Sequence, residues 1–408
     1  MKYAEILHRC FRCGYCKLPG NYVDFNCPPY AAFRFETYSP GGRMWLLRAW
    51  LDHKIEPSGR FQEILFSCTA CGNCVEQCVL TRIKDELLLA FTAGKEALVD
   101  KGKVPPTVRD CLTKLQKYGN FYGFARKKRT GWTLDTEVEV FTDQEFLFFP
   151  GDVGAFDSRG QEIARSVAAL LTLMGVSFGI LGDREVSDGN EVSALGESEL
   201  FHLLAEENIK HFKALNVKKI IALSPHGFNT LKNEYPALGS DCQVFHYTRI
   251  LAAHTGSLSF KENLSNIRVT YHDPCYLGRH NREYEAARKV LAGLPGVEVR
   301  EMDRSRQDAL CCGGGGGNLF TDILGNGPES PARNRAAEAL DTGAEILAVS
   351  CPTCAVMLGE AVKSNNMDRH IQVREISEIV NERVNAPPYE DLKIPPPPGR
   401  TTSGKQLL

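Results

Sequence analysis

The sequence lacks the features that would place the chain across a membrane, on a secretory route or on nucleic acid. No apolar run approaches the roughly 20 residues that a membrane-spanning helix needs. The opening residues, MKYAEILHRC, do not show the charged-then-apolar pattern of a secretion signal. The formal net charge of −2 gives no basis for binding nucleic acid or an anionic lipid surface. We therefore expect a cytoplasmic chain that does not itself insert into a membrane.

The sequence also lacks a nucleotide-binding loop. It contains neither a Walker loop nor a G-x-G-x-x-G motif after a strand, so no flavin or nicotinamide site is expected. Hydrophobic residues make up 43% of the chain and charged residues 24%, which is ordinary for a globular protein. A chain of 408 residues is long enough for two or three domains, each with its own core.

Cysteine is abundant and unevenly placed. Of the 15 cysteines, four lie within residues 10–27, four within 68–78 and five within 275–354. The other two, Cys111 and Cys242, stand alone and are expected to be packing residues. A disulfide framework is the alternative, but in a reducing compartment such clustering favours metal ligation.

The first two groups have the spacing of a two-cluster ferredoxin, C-x2-C-x2-C followed by an isolated cysteine and then C-x2-C-x2-C-x3-C. A cubane cluster needs four thiolates, and in two-cluster ferredoxins the fourth cysteine of each run binds the other cluster. Zinc is the alternative, but zinc sites use two pairs rather than repeated triplets. Cys78 is followed by Val79 and not by proline, a small departure from the bacterial pattern. We predict two [4Fe–4S] cubane clusters, one held by Cys10, Cys13, Cys16 and Cys78 and the other by Cys68, Cys71, Cys74 and Cys27.

The third group comprises Cys275, the pair Cys311-Cys312, and Cys351-x2-Cys354. Each part falls at or after the carboxyl end of a predicted strand, where α/β sheets place their ligand sites. Five glycines follow the pair, and a flexible linker is one interpretation of them. The other is that Gly313, Gly314 and Gly315 let the backbone approach an inorganic core and point N–H groups at its sulfurs.

Three polar residues flank Cys275. His272, Arg279 and His280 are expected to have ordinary surface or satisfied roles, with hydrogen bonding to a cluster or a substrate as the alternative. The basic run Arg126–Arg129 is expected to be a solvated surface, with docking of an acidic partner as the alternative.

The chain is expected to be α+β overall. Apolar residues at helical spacing after Ser39-Pro40-Gly41-Gly42 predict a helix between the first two cysteine groups. From about residue 146, β-rich runs alternate with helical stretches, which predicts α/β units around largely parallel sheets. The predicted parts are an α-helical dicluster ferredoxin domain (1–100), a connector (101–145), two tandem α/β repeats (146–260 and 261–384) and an extended proline-rich tail (385–408).

The two repeats look like one unit used twice. Ser224-Pro225-His226-Gly227 corresponds to the stretch Cys351–Cys354, and Asp152 precedes Ser187 by nearly the same spacing as Cys275 precedes Cys311. The first copy has no cysteine at any of the matching places. Aspartate and serine oxygens are hard ligands that suit an iron–sulfide core poorly, so this first site is expected to be empty.

These motifs resemble the D subunit of heterodisulfide reductase and its relatives, the CCG-domain proteins. The family pattern of C, then CCG, then CxxC matches the second repeat at Cys275, Cys311-Cys312-Gly313 and Cys351/Cys354. The resemblance implies that these five cysteines hold a further [4Fe–4S] cluster, non-cubane or cubane. It also implies that heterodisulfide cleavage uses two clusters facing one another, so that reaction is not expected with one site lost.

We therefore predict an electron-transfer subunit of a larger oxidoreductase complex in an anaerobe. The resemblance implies a flavin-containing partner, a heterodisulfide reductase A-like subunit, alongside a separate catalytic subunit. Two alternatives remain: a catalytic subunit that reduces a disulfide or thiol-derived substrate at the C-terminal cluster, and a zinc-bound scaffold without redox activity.

Overall fold

The structure is a computed structural model that describes residues 3–134, 136 and 138–385. The predicted proline-rich tail, apart from Asn385, lies outside the described residues. The N-terminal part is helical, as predicted. Its helices are α1 (Ala4–Leu7), α2 (Pro28–Phe33), α3 (Pro40–Leu51), α4 (Gly59–Phe66), α5 (Asn73–Gln77), α6 (Leu87–Val99) and α7 (Pro106–Tyr118).

Helix α3 begins where the turn residues predicted a helix start. The Ser39 hydroxyl accepts a hydrogen bond from the Gly42 N–H at 3.0 Å, and Pro40 occupies the first turn. Helix α7 lies in the predicted connector and buries one face through Val108, Cys111 and Leu115. This part of the connector is therefore packed against the rest of the protein.

Two α/β repeats follow. The elements of the first are β1 (Phe146–Phe149), α8 (Gly151–Phe156), α9 (Ser158–Leu173), β2 (Phe178–Gly179), α10 (Asn190–Ala194), α11 (Ser198–Ala214), β3 (Lys219–Ala222), α12 (Pro225–Asn233), β4 (Gln243–His246) and α13 (Tyr247–His254). Those of the second are β5 (Ile267–Tyr271), α14 (Glu285–Ala292), β6 (Val297–Val299), α15 (Asn318–Thr321), α16 (Pro331–Asp341), β7 (Ile346–Val349), α17 (Pro352–Ser364), β8 (Gln372–Glu375) and α18 (Ile376–Arg383).

Each repeat contains a four-stranded parallel sheet, and the two sheets have the same topology. The strand orders are β2-β1-β3-β4 and β6-β5-β7-β8. All pairings within these sheets are parallel, with Phe149 opposite Ala222 in the first and Tyr271 opposite Ala348 in the second. The predicted duplication is therefore present in the fold.

The parts pack tightly against one another. One apolar core joins the two repeats and includes Phe148, Val167 and Leu347. A second core joins the helical domain to the first repeat and includes Leu47 and Phe201. Burying apolar surface between the parts holds the cysteine groups at fixed positions relative to each other.

Candidate iron–sulfur centre

The cysteines of the first predicted cluster line one cavity. Cys10, Cys13 and Cys16 lie on the N-terminal loop, and Cys78 ends α5. Apolar residues from the start of α3 and from α6 complete the wall. Burial, with Cys27 nearby, raises the pKa of the Cys16 thiol to about 12. Binding of a soft metal at this cavity would therefore release the thiol proton of Cys16.

The cysteines of the second predicted cluster line a neighbouring cavity. All four are buried, and Cys27 directly precedes the Pro28 that starts α2. Cys16 borders both cavities. Cys78 lines only the first cavity and Cys27 only the second, and the exchange of fourth cysteines between clusters stays a prediction from the spacing.

The five cysteines of the second repeat meet at the carboxyl ends of three adjacent strands. Cys275 follows β5, the Cys311-Cys312 pair lies in the loop after β6, and the Cys351–Cys354 stretch follows β7. All five are buried. The Sγ atoms of Cys312 and Cys354 lie 3.4 Å apart, and those of Cys311 and Cys275 lie 3.9 Å apart.

Electrostatics favour the thiolate form at Cys351 and at Cys71, the cysteine of the second ferredoxin set that lies beside Cys311. Burial opposes ionisation of Cys351, but hydrogen bonds from Cys354 and His226 lower its pKa to about 5. A hydrogen bond from Cys311 and the charge of Arg279 lower the pKa of Cys71 to about 5, against the effect of burial. Thiolates are the form that ligates iron and zinc.

Two buried polar atoms beside the five cysteines lack a partner among the described residues. These atoms are His272 Nε2 and Arg279 Nη2. The two residues are 0% and 5% exposed. Buried donors are rarely left unpaired in native proteins. A cluster's sulfurs would accept hydrogen bonds from such donors, so the donor set and its surroundings fit an iron–sulfur group.

The glycine run has more than one role. The Gly313 N–H donates to Cys311 Sγ at 3.3 Å, as expected for a cluster loop. A Cβ on Gly315 would lie 2.6 Å from Thr69 O, and one on Gly316 would lie 2.3 Å from Cys68 O. The absence of side chains at Gly315 and Gly316 therefore lets the second repeat approach the ferredoxin cysteine loop.

The first repeat is filled with charged side chains at the position that corresponds to the five-cysteine site. Arg129 is 2% exposed and contacts Asp152 at 2.6 Å and Glu185 at 2.7 Å. The prediction of a solvated basic run is correct for Arg126–Lys128 but wrong for Arg129. Two buried carboxylates need a cation, and Arg129 supplies it.

A cavity remains between the repeats. Asp152, Asp188 and His226 line it from the first repeat, and Gly314 and Thr353 line it from the second. His226 pairs with the buried Glu191, and that pairing raises the pKa of His226 against the effect of burial. His226 and Asp188 thus lie at the edge of the cysteine-free site.

The second repeat and the ferredoxin domain meet around Cys71. Cys71 packs with Cys275, Tyr276 and Cys311 in one buried cluster. Arg279 donates from Nε to Cys71 O at 2.7 Å and from Nη1 to Ala309 O at 2.6 Å. Of the two ordinary roles expected for Arg279, surface or satisfied, the surface role does not hold, because the side chain is buried and its hydrogen bonds join the two domains.

His280 has a similar place at this junction. Its Nε2 lies 2.8 Å from Ala70 O, and its ring stacks on Tyr276. Tyr276 also contacts the His226 ring, with centroids 4.4 Å apart. These contacts tie the ferredoxin loop, Cys275 and the first repeat together.

Sequence reasoning missed Glu185, Glu191 and the buried position of Arg129. The acidic residues carry no motif, so their spacing gave no signal. One signal was available for Arg129, because Asp152 and Asp188 replace metal ligands at a site that should be buried. Buried carboxylates call for a cation, and the nearby basic run contains one.

Among the described residues, no helix combines the length and apolarity that crossing a bilayer requires.

A cysteine-rich domain family, CCG, matches residues 147–232 and 269–359. A 4Fe-4S dicluster domain family matches residues 6–80. Each CCG match covers the first three strands in chain order of one parallel sheet and ends before its last strand. The dicluster match covers the first two cysteine groups.

Several curated relatives are similar to this chain. It is 34% identical to the probable iron-sulfur-binding oxidoreductase FadF of Bacillus subtilis over 79% of the chain, and 30% identical to the EtfAB:quinone oxidoreductase of Syntrophomonas wolfei over 78%. The chain covers 47% and 46% of these two relatives, about half of their length.

Another relative matches over nearly its whole length. The chain is 29% identical to the D subunit of the dihydromethanophenazine:CoB--CoM heterodisulfide reductase of Methanosarcina barkeri, over 92% of the chain and 93% of the relative. Together with the domain matches, this similarity confirms the resemblance inferred from the cysteine motifs. The chain belongs to the CCG-domain iron–sulfur proteins that carry an N-terminal 4Fe-4S dicluster domain, and it is homologous to the D subunit of heterodisulfide reductase.

Proposed function

We propose that this chain is an electron-transfer subunit of a larger oxidoreductase. In this proposal the N-terminal cysteines hold two [4Fe–4S] cubane clusters in the grouping predicted from their spacing, and Cys275, Cys311, Cys312, Cys351 and Cys354 hold a third [4Fe–4S] cluster. Such clusters supply one-electron chemistry. The chain's own contribution is to position the ligand groups and exclude water.

The contact between Cys71 and Cys311 is the observation that carries the proposal. Cys71 belongs to the second ferredoxin ligand set and Cys311 to the five-cysteine set, and their side chains pack in one buried cluster. Cys16, in turn, borders both ferredoxin cavities. The three ligand groups therefore form a continuous series, which supports electron transfer along it.

The outer end of this series is accessible. Cys13 is exposed, and beside it Phe11 and Tyr22 are 64% and 58% exposed. Tyr15 packs edge-to-face against Tyr22. Exposed aromatic residues next to a ligand cysteine support exchange of electrons with a protein partner at this face.

The sequence offers no nucleotide-binding loop, so we assign hydride chemistry to other chains. We propose a flavin-containing partner, similar to the A-type component of heterodisulfide reductase, and a separate catalytic subunit. The relative from Methanosarcina barkeri is itself one subunit of an enzyme, which supports membership of a complex.

Electron paramagnetic resonance (EPR) of the fully reduced protein tests whether the three ligand groups hold neighbouring clusters. Clusters with touching ligands should interact magnetically, so the ferredoxin-domain signals should be broadened in the wild type. They should sharpen in the double variant Cys311→Ser/Cys312→Ser, which lacks the third cluster. A double variant of Cys111 and Cys242 to Ala is the control and should retain the broadening. Identical ferredoxin signals with and without the third cluster would contradict a direct series.

A catalytic role at the C-terminal cluster is the second candidate. An open cleft lined by Gly313, Asn318, Pro331 and Met357 reaches the cysteine loop, which favours access by a small molecule. A change in the spectrum of the oxidised protein on adding thiol would favour this role. An unchanged spectrum would favour electron transfer alone.

A further inference from the structure

His272 has a defined orientation beside the five cysteines. It directly follows β5, is fully buried, and its backbone N–H donates to Ala348 O at 3.0 Å. One ligand atom each from His272, Cys312 and Cys354 lies within 4.8 Å of the others. This arrangement is compatible with two roles: a metal ligand or a hydrogen-bond donor.

The hydrogen bond from Arg335 decides between these roles. Arg335 Nε lies 3.1 Å from His272 Nδ1. A guanidinium nitrogen of this kind always carries its proton and cannot accept, so Nδ1 must be the acceptor. In a neutral imidazole with a bare Nδ1, the proton lies on Nε2. Nε2 therefore has no lone pair to offer to iron.

Arg335 is itself held in place. It is fully buried, and its Nη1 donates to Arg304 O at 2.7 Å and to Glu338 Oε2 at 2.8 Å. These bonds fix the guanidinium and, through it, the tautomer of His272. The Nε2 atom of His272 has no hydrogen-bond partner among the described residues. A ring nitrogen of His272 lies within 4.8 Å of the Cys312 Sγ, so this sulfur is placed to accept a hydrogen bond from the ring.

We propose that His272 is a positioning residue that donates an Nε2–H···S hydrogen bond to Cys312 and raises the reduction potential of the third cluster. Reduction adds negative charge to the cluster and its thiolates, and a buried N–H donor stabilises the more negative state. His272 is not a ligand in this account. The inference rests on the proposed function, because it requires a cluster at the five cysteines.

Two variants separate donation from ligation. His272→Phe removes the donor and keeps a ring, whereas His272→Gln retains an N–H that can reach the sulfur. Both should keep the wild-type iron content. The midpoint potential of the third cluster should move to more negative values in His272→Phe and move less in His272→Gln. His254→Phe, on a half-buried histidine of α13, is the control and should leave the potential unchanged.

Pulsed EPR of the wild type with 15N-labelled histidine gives a measurement that needs no variant. We expect a weak nitrogen coupling, together with a proton coupling that disappears in D2O. A strong coupling of the kind given by iron-bound nitrogen would overturn the inference, as would loss of third-cluster iron or an unchanged potential in His272→Phe. A wild-type protein with about 8 irons, enough for two four-iron clusters, would instead contradict the proposed third cluster, and the inference with it.

Discussion

Arg129 Nη2 donates a 2.6 Å hydrogen bond to Asp152 Oδ1, at the place in the first repeat that corresponds to Cys275 in the second. The loss of ligand cysteines is thus accompanied by a buried ion pair between Arg129 and Asp152, and Glu185 accepts a further hydrogen bond from the same guanidinium. In the first repeat, buried charged side chains occupy the position that corresponds to the five-cysteine site. It retains the fold and packs against the second repeat.

Removing the cation should therefore destabilise the protein. Arg129→Met leaves the buried Asp152 carboxylate without its cation and Glu185 without its hydrogen-bond donor, and we expect a loss of about 3–5 kcal/mol in the free energy of unfolding. Arg126→Met, which breaks an exposed pair with Glu207, should cost no more than about 1 kcal/mol. Denaturant unfolding under anaerobic conditions measures both. Equal effects for the two variants would contradict the buried pair.

The same site should make stability depend on pH. Burial raises the pKa of Glu185 from its ordinary value of 4.5 to about 8, although Arg129 opposes the shift. Between these pH values the folded state holds a proton that the unfolded chain has lost, so stability should fall as the pH rises through this window. Glu185→Gln should reduce that slope. A slope unchanged by the substitution would show that Glu185 does not titrate there.

Much of the fold was predictable because apolar periodicity marks buried elements. The β-rich runs at 145–149, 218–223, 267–271 and 345–349 predict strands, and β1, β3, β5 and β7 lie within these ranges. Strands β4 and β8 are edge strands with partly exposed side chains, so hydrophobic pattern did not define them. The run at 177–181 also predicts a strand, but it pairs in its sheet only at Phe178–Gly179, at the edge of the first sheet.

The candidate site was predictable where chemistry demands fixed spacing. The cysteine groupings follow from the ligand rule of two-cluster ferredoxins. Three features of the site could not be predicted from the sequence, because each depends on how separate segments pack. These are the contact of Cys71 with Cys311, the burial of Arg129 and the tautomer of His272. Gly315 and Gly316 illustrate the same limit, since only the domain junction explains their close contacts.

The cysteine grouping can be tested one ligand at a time. Cys78→Ala should perturb the cluster held by the N-terminal loop, and Cys27→Ala the cluster held by the 68–74 loop, because each lines only that cavity. The two variants should alter different EPR signals. Cys111→Ala, a buried cysteine outside every ligand group, should alter neither. If Cys78→Ala and Cys27→Ala changed the same signal, the grouping would be wrong.

The glycine run offers a test of the domain junction. Gly316 has a φ of 64°, and an added Cβ would lie 2.3 Å from Cys68 O. Gly325 has a φ of 65° with nothing within 4 Å of an added Cβ, so it controls for backbone strain alone. We expect Gly316→Ala to cost about 1–3 kcal/mol more in unfolding free energy than Gly325→Ala, because of the clash. Equal costs would mean that the junction tolerates displacement of the ferredoxin loop.

The most direct test of the account is the amount of iron and acid-labile sulfide per chain in protein purified without oxygen. We predict about 12 of each for the wild type, and about 8 for Cys311→Ser/Cys312→Ser, since each cluster holds four irons. About 8 irons and 8 sulfides per chain in both proteins would be enough for two clusters only. That result would contradict a third cluster at the five cysteines.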